Sequence, residues 1–184
     1  LYTLTDDPFI FANYLVIPSY YSFTTAFFLH GKFQQVINEL YLVNPRISRK
    51  VEVNETKVVL VKFKSELMFG FKKVRKGSSM ILIADLEKAI LDSLYMPRYC
   101  RVAIVNEIMK EFKDEINLER LLEYAKKFKS EAVSRRLGFL LERVGIKVGI
   151  EPKTRTVYKL NPSLKVKGEF DRKWRLYVNE VLEW

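Results

Sequence analysis

The hydrophobic pattern of this chain changes its period at Asp85. From Tyr41 to Ala84 the apolar residues fall in short β-branched or aromatic runs, YLV, RKVEV, KVVLVKF, LMFGFKKV and SSMILIA, divided by turn residues. VEV and KVVLV read as the arms of a hairpin with Asn54 in its turn, and Gly77-Ser78-Ser79 leads into the last run. Beyond Asp85 the spacing becomes helical as far as Val144. Leu86, Ala89, Ile90 and Leu94 share one stripe. Leu118, Leu121, Leu122, Ala125 and Phe128 share a second behind the cap Asn117. Val133, Leu137, Leu140, Leu141 and Val144 share a third, opened by Ser130 and closed by Gly145. RTVYKL and WRLYVNEV are further strand candidates in the tail. A block of strands followed by a block of helices implies an α+β fold: a small, mostly antiparallel sheet with helices grouped beside it.

Residues 8–29, PFIFANYLVIPSYYSFTTAFFL, carry no charge, yet they do not read as a membrane span. Asn13, Pro18, Ser19, Ser22, Thr24 and Thr25 interrupt the run, and Pro18-Ser19 marks a break between two short helices. Asp6 and Asp7 before Pro8 suit the start of the first. Ser22 is placed to cap the second, FTTAFFLH, which stops at Gly31. A buried helical pair is expected, with His30 as a packed ring or a partner of the helix C-terminus rather than a catalytic group.

DLEK, at Asp85–Lys88, has the look of a metal site. A two-carboxylate nuclease needs an acid and then acid-x-lysine on one strand, so that alternate side chains converge on the metal. Here Glu87 and Lys88 are adjacent and would diverge. A nucleotidyltransferase places a helix between its Gly-Ser and its carboxylates, whereas SMILIA between Gly77-Ser78 and Asp85 is a strand. No phosphate-binding glycine loop, GxSxG or HExxH is present. Asp85 is therefore read as ending a strand and capping a helix, with Glu87 in the first turn. Asp92 is the polar residue left near the apolar stripe. Arg135 and Arg136 form either an inward fork onto Asp92 or Glu87, or a second basic patch. One cysteine, Cys100, and one histidine leave no disulfide framework and no Cys cluster for zinc, so neither metal nor cofactor is expected. Cysteine usage and the lack of a recognisable leader fit a reducing cytoplasm.

The chain is 184 residues long, 48% hydrophobic and carries a net charge of +10. That is enough for a real core, and the charge favours a polyanionic partner. The excess is concentrated. Arg46, Arg49, Lys50, Lys57, Lys62, Lys64, Lys72, Lys73, Arg75 and Lys76 stand against Glu52, Glu55 and Glu66, a net +7 within residues 46–76. Alternation puts Lys62 and Lys64 on one side of a strand and Val61 and Phe63 on the other. One sheet face is expected to be apolar and the other basic and wet, a surface for phosphates without sequence choice. The plainer use of such lysines is to keep a sheet soluble. In the tail, Arg172, Lys173 and Arg175 flank Trp174, read as a packing residue.

DLEKAILDSLYMP, followed about thirty residues later by SEAVSRRLGFLLERVG, resembles the AbiEi antitoxins of abortive-infection, type IV toxin–antitoxin systems. IPSYYSFTTAFFLHG and DRKWRLYVN extend the resemblance in the same order over most of the chain. It implies an N-terminal winged helix-turn-helix that binds operator DNA and a larger C-terminal antitoxin domain. It further implies a regulator that represses its own operon and opposes a nucleotidyltransferase-like toxin without a tight complex. Leu1–Leu4 then reads as the last strand of a wing, and residues 5–184 as the C-terminal domain. That domain is expected to be non-enzymatic, with its basic face holding operator-flanking DNA or an RNA. Two other readings stand beside it: a degenerate metal-dependent nuclease or nucleotidyltransferase using Asp85 and Glu87, and a module that meets a toxin or a second copy through Phe9, Tyr20, Tyr21 and Phe28.

Overall fold

The computed structural model describes residues 7–53 and 55–183. Leu1–Leu4, Asp6 and Asn54 lie outside the described residues. The fold is α+β, and the chain divides into two compact units, one up to Ala89 and one from Ile90 onward. Among the described residues no helix is long and apolar enough to cross a membrane.

The first unit contains α1 (Pro8–Ala12), β1 (Tyr20–Tyr21), α2 (Phe23–Leu29), β2 (Glu39–Asn44), β3 (Arg49–Val53), β4 (Thr56–Lys62), β5 (Phe71–Lys76) and β6 (Ser79–Ala84). The six strands form one sheet in the order β3-β4-β2-β1-β6-β5. Its antiparallel pairs are β3–β4, β2–β1 and β6–β5; β4–β2 and β1–β6 are parallel. The break at Pro18-Ser19 thus leads into a central strand, not directly into a second helix. Tyr20 and Tyr21 are fully buried between β2 and β6.

One cross-strand row shows where the core sits. It runs Lys72, Ile83, Tyr21, Leu42, Leu60, Arg49 across all six strands. The four middle residues are buried, each contributing about 1.5–3 kcal/mol by leaving water, and the charged ends reach solvent. On the opposite face Tyr20, Val43 and Val61 are equally buried. The sheet centre is covered on both sides, as parallel pairing favours. The run LMFGFKKV is not one strand: Ser65–Leu67 makes a 3-10 turn, Gly70 adopts φ +69°, and β5 begins at Phe71.

Helix α3 (Leu86–Tyr95) begins in the first unit. The second unit continues with α4 (Val102–Glu111), α5 (Leu118–Phe128) and α6 (Glu131–Arg143). Asn117 and Ser130 cap α5 and α6 as their sequence positions suggest, accepting from the amides of Arg120 at 2.9 Å and Val133 at 3.4 Å. A small sheet of β7 (Tyr158–Lys159), β8 (Glu169–Asp171) and β9 (Leu176–Val178) closes the unit, in the order β7-β9-β8.

Candidate nucleic-acid interface

Nine of the ten cations of residues 46–76, all but Lys57, are the candidates for nucleic-acid contact, and they do not form one wet face. The expectation rested on β4 having a dry side and a basic side, yet Val58–Val61 are buried in succession because β4 is an interior strand. Lys62 is its last residue and Lys64 lies beyond it. The cations divide between the two edges of the sheet, about five strand spacings or roughly 24 Å apart. Arg46, Arg49, Lys50, Lys62 and Lys64 belong to the β3–β4 side, and Lys72, Lys73, Arg75 and Lys76 to β5.

The β3 side is partly neutralised. Lys50 Nζ donates to Glu39 Oε1 at 3.0 Å, and Tyr41 Oη donates to Glu39 Oε2 at 2.8 Å. Burial pulls the Glu39 carboxyl upward, but these two hydrogen bonds and the charges of Lys50 and Lys57 outweigh it, leaving its pKa below the ordinary value. Glu52 pairs across the strands with Lys57. Arg46 is held by its backbone, its amide donating to Asn44 Oδ1 at 2.9 Å.

The β5 edge has a different character. Four of its six residues are basic and none is acidic. The partner β6, SMILIA, has no charge at all. Gly77 supplies the left-handed φ of +56° at the first position of a two-residue hairpin link, and Lys76 pairs with Ser79 across it. Lys72, Lys73 and Arg75 are exposed, while half-buried Lys76 sets its ammonium 5.0 Å from the Phe9 ring centre. Arg75 Nε donates to Gly77 O at 3.3 Å, which steadies the guanidinium at the hairpin tip. Lys73 and Arg75 share one side of the strand, about 6.8 Å apart along it. Measured along the axis of a duplex, that length is the rise of two nucleotides of one strand, at about 3.4 Å each.

The DLEK stretch is a helix start. Asp85 O accepts from the Ala89 amide at 2.9 Å, the first bond of α3, while the Asp85 amide donates to Gly70 O at 2.8 Å. Glu87 is completely buried. Lys88, weighed in the sequence only as a nuclease-type lysine, is buried as well: Nζ donates to Tyr20 Oη at 2.9 Å and lies 5.0–5.3 Å from the ring centres of Tyr20, Phe63 and Phe69. The signal for it was a lysine two residues after Leu86 and directly before Ala89-Ile90, within the span of the apolar stripe. Among the described residues no three carboxylate, imidazole or thiol groups gather as they would around a cation.

Arg135 and Arg136 are both buried, and the partners they grip lie within the second unit. Arg135 grips Glu131 Oε1 at 2.8 Å and the Thr154 carbonyl at 2.7 Å, and also donates to the Thr156 carbonyl. Arg136 donates to Leu94 O at 2.7 Å and to Lys159 O at 3.0 Å. Burial lowers the Arg136 pKa to about 10, so the group stays charged at neutral pH. Its charge is spread over backbone carbonyls, which sequence does not encode. Asp92 itself is buried on α3. His30 caps α2 and bonds Ala84 O through Nε2 at 2.7 Å. Of the aromatic residues considered for partner contact, Tyr20 and Tyr21 are fully buried, Phe9 is half-buried and Phe28 is 36% exposed, so they do not make one open patch.

No model of a known protein family matches the chain, and no curated protein matches it.

Proposed function

We propose that the chain is the C-terminal domain of a cytoplasmic transcriptional regulator and antitoxin of a viral-defence toxin–antitoxin system, acting without catalysis. In this reading the β5 edge holds operator-flanking DNA by its phosphates, and sequence choice belongs to an N-terminal winged helix. The toxin it opposes is nucleotidyltransferase-like. The ordered resemblance of DLEKAILDSLYMP, SEAVSRRLGFLLERVG and DRKWRLYVN to AbiEi antitoxins supports the biological role. The physical observation that carries DNA contact is the β5 edge, four cations on six residues with no acid in the strand or in its partner. This narrows the contact to Lys72, Lys73, Arg75 and Lys76, and leaves the β3-side cations with a solubilising role.

The test is binding to a duplex of random sequence as salt is raised. With three or four phosphates engaged, the log–log slope is expected to be about −3 to −4. Replacing Lys72, Lys73 and Arg75 by Gln should flatten it by about 2.7. An unchanged slope in that variant rejects the edge contact. For the biological half, co-expression with a nucleotidyltransferase-like toxin from a neighbouring reading frame should restore growth; toxicity undiminished by the full-length protein rejects the antitoxin role.

A further inference from the structure

The second unit carries its own concentration of charge. Between Lys153 and Val178 eight basic residues stand against Glu169 and Asp171, a net +6. The small three-stranded sheet lies within this segment, and its two faces differ. Tyr158 and Leu176 point inward: Leu176 is fully buried, and Tyr158 receives the Arg135 guanidinium 5.2 Å from its ring centre. The alternate residues form an outer row, Lys159, Tyr177, Phe170, in register across β7, β9 and β8. Tyr177 is 45% and Phe170 43% exposed, with ring centres 5.3 Å apart at an interplanar angle of 49°. A cross-strand aromatic pair helps any sheet. Such a pair left half in water, at the centre of a cationic segment, has a further use.

The loop between β7 and β8 supplies the charge. Lys159 Nζ donates to Leu164 O at 3.3 Å, so this loop borders the outer face, and exposed Lys165 and Lys167 follow directly. Gly168 brings the loop back onto β9 at a distance no side chain permits: a Cβ there would lie 2.0 Å from Val178 O. Glu169 and Asp171 pair with Val178 and Leu176, so alternation directs both acids away from the row of rings. Asp171 is engaged there, Oδ1 accepting from the Trp174 amide at 2.7 Å.

We propose that Phe170 and Tyr177 form a stacking platform for unpaired bases, with Lys159, Lys165 and Lys167 holding the phosphates, so that this sheet binds single-stranded nucleic acid. Rings on a sheet surface stack bases that a duplex keeps hidden, and cations beside them follow the backbone. The site is separate from the β5 edge, and the proposal does not depend on the duplex contact made there.

The experiment is fluorescence anisotropy with labelled oligo(U) and oligo(dT) of about 12 nucleotides, and a duplex of the same length, at about 50 mM salt. The single strands are expected to bind more tightly than the duplex to the variant lacking the Lys72, Lys73 and Arg75 charges, in which the duplex contact is removed. Equal affinity for single strand and duplex in that variant overturns the proposal. Tighter binding of oligo(U) would identify RNA, through its 2′-hydroxyls, as the natural partner, and tighter binding of oligo(dT) would identify DNA. Phe170→Leu with Tyr177→Leu keeps apolar area but removes the π faces, and should weaken single-strand binding about tenfold or more. Tyr177→Phe keeps the ring and should bind as the wild type does, and an unchanged far-UV circular dichroism spectrum of the double variant separates lost stacking from lost structure. Lys165→Gln with Lys167→Gln should reduce the salt slope by about 1.4. Single-strand affinity unchanged in the double leucine variant overturns the platform. So does self-association of the wild type that is lost in the double leucine variant, because a second copy would then cover the rings.

Discussion

Gly138 sits in the middle of α6, where helix propensity alone favours alanine by about 1 kcal/mol. The surroundings reverse that preference. A Cβ at 138 would fall 2.1 Å from Trp174 Cη2 and 2.2 Å from Cζ3, against an ordinary carbon–carbon contact of about 3.5–4 Å. The indole is 3% exposed and has little room to retreat. Its Nε1–H donates to Glu142 Oε2 at 2.7 Å, and the Trp174 amide donates to Asp171 Oδ1. Overpacking costs about 1–3 kcal/mol or more, and loss of the indole hydrogen bond adds about 1 kcal/mol. Gly138→Ala is therefore expected to destabilise by a net of about 1–3 kcal/mol in urea unfolding followed by far-UV circular dichroism. At roughly 2–4 °C per kcal/mol for a chain of this size, Tm should fall by about 2–12 °C. In a Trp174→Leu background the ring is gone and the same change should become neutral or stabilising by up to about 1 kcal/mol. A Gly138→Ala protein as stable as the wild type would refute this account of how the tail seats on α6.

Three further outcomes follow from Glu180, Cys100 and Glu131 of the second unit. Glu180 accepts from the amides of Val102 and Ala103 at the start of α4, from Arg101 Nε at 3.0 Å and from Asn161 Nδ2 at 2.6 Å. Glu180→Ala should cost about 2–4 kcal/mol by urea titration, since it uncaps α4 and strands a buried amide. Cys100 is 2% exposed and burial pushes its thiol pKa up to about 12; an aromatic disulfide reagent at pH 8 should label it only as the protein unfolds. Rapid labelling of native protein would contradict that. Burial raises the Glu131 carboxyl, but hydrogen bonds from Arg135 and from the Lys153 amide outweigh it, so its folded pKa lies below the unfolded one. Its stabilisation is present above the unfolded pKa and is lost as pH falls through the folded one. The urea midpoint gap between wild type and Glu131→Gln should shrink on acidification below about pH 4.5; a gap that grows refutes the assignment.

Local signals were legible in the sequence and long-range ones were not. Asn117 and Ser130 cap their helices because capping depends on three or four neighbouring residues. The stripes of α3, α5 and α6 are visible for the same reason. The parallel pairing of β2 with β4 joins segments separated by β3, and no local pattern specifies it. The strand Tyr20–Tyr21 was not legible behind the break at Pro18-Ser19, since two residues are too few to show a period. Composition revealed the charge of residues 46–76, while the strand order that carries half of it to each edge was hidden. The outer row of the small sheet was missed because β8 is three residues long and Phe170 acquires its partner, Tyr177, only through pairing. Arg135 and Arg136 were open in the sequence between an inward fork and a basic patch, because carbonyl partners leave no trace in side-chain identity.

The β5 edge can be tested residue by residue. Acylation of lysine amines, read by mass spectrometry with and without a saturating duplex, reports which ammonium groups a phosphate backbone covers. The account predicts protection at Lys72 and Lys73, with Lys57, Lys62 and Lys64 reacting as in the free protein. Protection confined to the β3 side, or none on β5, would contradict it.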